Sequence, residues 1–142
     1  MVAVVILALF AALPDPTEKW PADARKELKA LQGRWTVEKV VVAGVEQTPG
    51  EERVFEVKGR FIVADGAAGA EFVALDPQTA PKCVDFRDFD TDRADPVMEG
   101  AYKLDGDTLT FCVYTGEGKS RPTDFDGKGE STVVMVWKRV KK

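Results

Sequence analysis

A chain of 142 residues, 44% apolar and 31% charged, is sized for one globular domain with a core of its own. Its net charge of −4 offers no basic face for DNA or RNA. It contains no histidine, which removes the commonest general base, and with only Cys83 and Cys112 as thiols it excludes Cys/His zinc sites.

Residues 2–13, VAVVILALFAAL, form an unbroken apolar run that is too short to span a bilayer and suits the hydrophobic region of a signal peptide. No Lys or Arg precedes the run and no A-x-A site follows it, so a buried N-terminal segment or an uncleaved anchor is the competing reading. We read residues 1–13 as a signal peptide or hydrophobic leader, 14–20 as a linker and 21–142 as the folded domain. The expected location is outside the cytoplasm, in the periplasm, the cell envelope or the medium, with no membrane span beyond the leader.

Pro21 suits a first helical turn. Ala24, Leu28 and Leu31 follow at i, i+4 and i+7, which predicts a short amphipathic helix over about 21–31, ended by Gly33. From there the apolar period becomes two. RWTVEKVVV (34–42) reads as a strand, and ERVFEVKGRFIVADG (52–66) as two strands about Lys58 and Gly59. AEFVALDP (70–77) and KCVDFRD (82–88) follow. PVMEGAYKLDGDTLTFCVY (96–114) reads as a hairpin turning at Asp105 and Gly106, and STVVMVWKR (131–139) is the last strand. Many short strands in meander order predict an all-β fold, an antiparallel up-and-down barrel of about eight strands with a short helix in front.

Alternation places Trp35, Val37, Phe55, Val57, Phe61, Val63, Phe86, Met98, Tyr102, Leu104, Leu109, Phe111, Val113, Met135 and Trp137 inside. An eight-stranded barrel is either filled by its own side chains or holds one small ligand. The candidate ligand-binding set is Phe55, Phe61, Phe86, Phe111 and Met135 in the interior, with Tyr102, Arg121 and Phe125 at the mouth. Two cysteines in an exported chain invite a disulfide, but alternation turns Cys83 and Cys112 outward with a strand between them, about 9–10 Å apart from the sheet spacing and too far for a bond unless barrel closure or a bulge brings them together.

DFRDFDTDRADPVME (85–99) places Asp88, Asp90, Asp92 and Glu99 at positions 1, 3, 5 and 12 of an EF-hand loop. Arg93 stands where that loop needs glycine, and strands flank it, so a solvated loop is the stronger reading, with Asp85 and Glu99 free to pair with Arg87 or Arg93. Asp124, Asp126 and Glu130 lie near Arg121 in the long segment 115–130, but nothing fixes their spacing for acid–base work. Ser120 and Ser131 have no histidine to activate them. No catalytic residue, metal site or cofactor is assigned, and the chain is expected not to be an enzyme.

Gly33-Arg34-Trp35, at the start of the first strand after a short helix, resembles the G-x-W signature of lipocalins and the wider calycin group. The resemblance pairs that Trp with an Arg near the end of the last barrel strand, the position of Arg139 in VVMVWKR. Gly33, Trp35 and Arg139 are then expected to close one end of the barrel. LQGRW, LDPQTAPKCVDF, YKLDGDTLTFC and SRPTDF, in that order over about residues 28–140, look like an uncharacterised lipocalin-like domain family abundant in planctomycetes. The resemblance implies a small, often exported barrel and supplies no activity. The expected role is binding of a small apolar molecule in the barrel. The alternative is a cell-envelope interaction or structural module with a filled barrel and a working surface in 116–130. The sequence names no protein partner.

Overall fold

The computed structural model describes residues 15–47, 53–89 and 95–141. The leader, and with it Asp90, Asp92 and Arg93 of the acidic stretch, lies outside these residues. Within the expected linker, Pro16–Lys19 form one 3-10 turn, capped by the Asp15 carboxylate, which accepts from the Thr17 amide. Helix α1 (Ala22–Ala30) begins after Pro21 and buries Ala24, Leu28 and the flanking Leu31, the stripe read from the sequence.

Nine strands follow among the described residues: β1 (Gly33–Val42), β2 (Val45–Gln47), β3 (Val54–Lys58), β4 (Phe61–Ala64), β5 (Ala67–Asp76), β6 (Lys82–Asp88), β7 (Val97–Asp105), β8 (Thr108–Tyr114) and β9 (Thr132–Arg139). β2 and β3 pair with successive stretches of β1, at Val40–Val42 and Gly33–Thr36, and so act as one interrupted strand. From β3 to β9 each strand pairs antiparallel with the next, and β9 returns to β1 from Trp35↔Arg139 to Val42↔Val133. The result is a closed eight-stranded up-and-down barrel with a short helix at its N-terminal side. Closure leaves no long unpaired edge, which is how a small all-β domain avoids edge-to-edge association.

Register corrects the sequence reading in two places. Lys58 pairs with Phe61 across a two-residue turn, Gly59 and Arg60. Residues flanking such a turn share a face, and Lys58 is exposed, so Phe61 and Val63 face outward while Ile62 and Ala64 face inward. Phe61 instead lies 6.3 Å from Phe89 and beneath the Arg60 guanidinium at 4.5 Å, on the outer wall. In β5 the pairing shifts between Phe72 and Ala74, a bulge that breaks strict alternation. Phe72 and Leu75 both become core residues, which period two alone does not assign.

Cys83 and Cys112 sit on either side of Ala101 in one cross-strand row, with a strand between them, and are both free thiols.

Candidate functional site

One end of the barrel is shut. Trp35 is fully buried, and its Nε1 donates to the Leu31 carbonyl at 3.0 Å. The Arg139 guanidinium lies 4.2 Å from the Trp35 ring centroid and donates to the carbonyls of Gln32 and Ala30, both at 2.8 Å. One side chain thus covers the indole and satisfies carbonyls that the end of α1 leaves without helical partners. Gly33 makes the approach possible: its φ is +121°, and a Cβ there would stand 3.2 Å from Arg139 Nη1. Gln32 ties the same corner to the β3–β4 turn, donating to the Gly59 carbonyl and accepting from the Gly59 amide, each at 2.8 Å.

Tyr102 belongs to this shut end and not to a mouth. Its hydroxyl donates to Glu27 of α1 at 2.8 Å, and Lys82 reaches the same carboxylate at 2.7 Å. Burial, reinforced by the bond to Glu27, holds the Tyr102 hydroxyl protonated well above its ordinary range.

Among the described residues, the opposite end is open. A cavity of about 440 Å³ lies there, walled by Phe55, Ile62, Ala64, Ala70, Phe86, Met98, Phe111, Val113, Met135 and Trp137. These are the inward residues nearest the strand ends remote from α1. The aromatic rings form a continuous layer. Phe55 stacks on Trp137 at 5.0 Å and 10°, Trp137 meets Phe111 edge-on at 5.0 Å, and Phe111 meets Phe86 edge-on at 5.2 Å. On the helix side of that layer the barrel is filled, by Val57, Phe72, Leu75, Tyr102, Leu109 and Trp35 among others. On the open side, Gly69, Ala64 and Ala70 are too small to fill the space. Arg53, Asp88 and Thr115 supply the polar rim, at the ends of their strands.

Of the residues expected to bind a ligand, Phe55, Phe86, Phe111 and Met135 therefore come together on the cavity wall. Phe61, Tyr102, Arg121 and Phe125 do not. Sequence reasoning missed Ile62, Ala64 and Ala70, because the β4 phase was set one residue out and small residues carry no signal of their own.

Arg121 and Phe125 lie on the outer wall, in a strap formed by residues 115–131. Arg121 donates to the Val84 and Gly100 carbonyls at 3.1 and 2.8 Å and to the carboxylates of Asp85 and Glu99 at 2.7 and 2.9 Å. Asp85 and Glu99 thus take Arg121, while Arg87 pairs with Glu71. Phe125 lies 4.7 Å beneath Lys103, another outward side chain. Gly127 packs against the barrel so closely that a Cβ would stand 2.8 Å from a Val134 methyl. The strap buries Cys112, and burial, then the carboxylates of Asp124 and Asp126, push that thiol from 9.0 up to about 11.

Two outcomes follow from these groups. Replacing Arg121 by Ala removes about 1–2 kcal/mol of half-exposed, charge-assisted hydrogen bonding and raises the open fraction of the strap roughly five- to thirtyfold. Alkylation of Cys112 by iodoacetamide accelerates accordingly; an unchanged rate contradicts the clamp. The second concerns alkaline pH. The unfolded chain ionises Cys112 near 9.0 and Tyr102 near 10.0, while the folded chain keeps both protons. Their contribution is complete below pH 9 and is lost as pH rises above it. The urea midpoint is expected to fall between pH 8 and pH 10.5, and a constant midpoint contradicts the assignment.

The chain matches no family model, no curated protein and no solved structure. The architecture is consistent with a calycin or lipocalin-like barrel in general, and that likeness rests on the fold. Among the described residues, no helix is long and apolar enough to cross a membrane.

Proposed function

We propose that this chain is an exported, non-enzymatic binding domain that holds a small, mostly apolar molecule in the open half of the barrel. The observation that carries the reading is the cavity of about 440 Å³, whose described lining is apolar on the walls and polar at the rim. Small-molecule sites have that size and that distribution of polarity. Burial of apolar ligand surface, at about 25 cal/mol per Å², is the driving force. The apolar run at residues 2–13 supports export, and the lack of histidine supports binding over acid–base chemistry.

Native mass spectrometry of the protein purified from its own host tests this reading. A co-purifying small molecule, released on denaturation, is expected. A chain of bare mass that also takes up no apolar probe contradicts it.

A further inference from the structure

The described lining of the cavity carries two charged side chains, Arg53 and Asp88. Asp88 is already engaged in an interaction of its own. Arg53 has no carboxylate partner among the described residues, although Arg60, Arg87, Arg121 and Arg139 each have one. Its guanidinium stands instead over the ring of Phe55, 5.9 Å from the centroid.

The backbone fixes where Arg53 points. Trp35 pairs with Phe55 across β1 and β3, and two residues further the Val37 amide donates to the Arg53 carbonyl at 3.3 Å. Arg53 therefore shares the inward face with Phe55 and Val57. Val57 lies in the filled half, Phe55 on the cavity wall and Arg53 at the mouth. One inward row thus runs from core to cation.

The rest of the cavity narrows the chemistry. Its floor is the ring layer of Phe55, Trp137, Phe111 and Phe86. A charged group pressed onto that floor loses its water and gains no charged partner. At the mouth it keeps water on one side and meets the exposed guanidinium on the other. A single guanidinium across from Asp88 suits one negative charge, in the planar form that its fork of donors matches.

Building on the binding reading above, we propose that the ligand is a small organic acid, an apolar body with one carboxylate, and that Arg53 holds the carboxylate at the mouth while the body fills the cavity. Arg53 then selects among apolar molecules of similar size and sets which end enters first. A neutral guest gains burial alone, and a cationic one is opposed by Arg53.

2-Naphthoate and 2-naphthamide are a matched pair of probes, alike in shape and differing by one negative charge. At neutral pH and low salt, naphthoate is expected to bind about fivefold more tightly than the amide, the factor for one partly solvated ion pair. The preference is expected to shrink as salt is raised and to vanish in Arg53→Gln, with binding of the amide unchanged. In the parent, the Arg53 Nε–H signal, assigned by its loss in Arg53→Lys, is expected to move further with naphthoate than with the amide. That shift decides alone if Arg53→Gln does not fold. Equal binding of the two probes, or a preference that survives in Arg53→Gln, overturns the anion proposal and leaves the pocket standing. Tighter binding of 2-naphthylmethylammonium than of naphthoate also overturns it and gives the rim to Asp88. Failure of both probes and of naphthalene to bind overturns the pocket reading and this proposal together.

Discussion

Trp35→Ala is expected to lower the unfolding free energy by about 3–5 kcal/mol, the range for truncating a buried aromatic side chain. The indole is fully buried, so its whole surface is lost from the core. The change also strips the Leu31 carbonyl of its donor and leaves the Arg139 guanidinium over a void. In a domain whose total stability is about 5–15 kcal/mol, this is a large fraction. Phe89→Ala is the control: Phe89 is 47% exposed, and a surface change of that kind shifts stability by about 0.5 kcal/mol or less. Urea unfolding of the two variants beside the parent separates them. A loss under about 1 kcal/mol for Trp35→Ala contradicts the role of this corner as the plug of the barrel.

The second large effect is on binding. Ala70 is half-buried on the cavity wall, where β5 pairs it with Ile62 and Asp88. An indole placed there by Ala70→Trp occupies a substantial part of about 440 Å³ of space. The fold is expected to survive, because the new ring enters space that is empty and not a packed core. Affinity for naphthalene is expected to fall at least about tenfold, equivalent to about 1.4 kcal/mol. Unchanged affinity with an intact fold places the binding site elsewhere.

How much of this was legible in the sequence differs element by element. The helix stripe Ala24, Leu28 and Leu31 was legible because a 3.6-residue period is local. The shut end was legible because Gly33, Trp35 and Arg139 form a sequence pattern with a physical use. Phe86 and Phe111 were placed on the correct face because β6 and β8 pair with β7 in unbroken register. Phe61 was not, because its face depends on whether the turn is Lys58-Gly59 or Gly59-Arg60, and one residue of difference inverts every side chain after it. Phe72 and Leu75 were hidden by a bulge, which no period reveals.

The strap was the least legible feature, because Arg121 reaches groups 21 to 37 positions away in sequence. One signal for it was present. Cys112 in β8, between inward Phe111 and Val113, and Val134 in β9, between inward Val133 and Met135, put apolar side chains on the outward face. A strand apolar on both faces is a strand covered on both faces. That pattern marks β8 and β9 as the wall on which residues 115–131 lie, and it accounts for Arg121 and Phe125 being outside the barrel.

The central claim is that the open half of the barrel holds a small apolar molecule while the helix-capped half is filled. The methionines offer the simplest view of it, since the chain has three, and Met98 and Met135 are both on the cavity wall. With ¹³C-methyl-labelled methionine and naphthalene as the probe, the Met98 and Met135 methyl signals are expected to shift together and to saturate at one affinity. Saturating naphthalene that leaves both signals where they were contradicts the account.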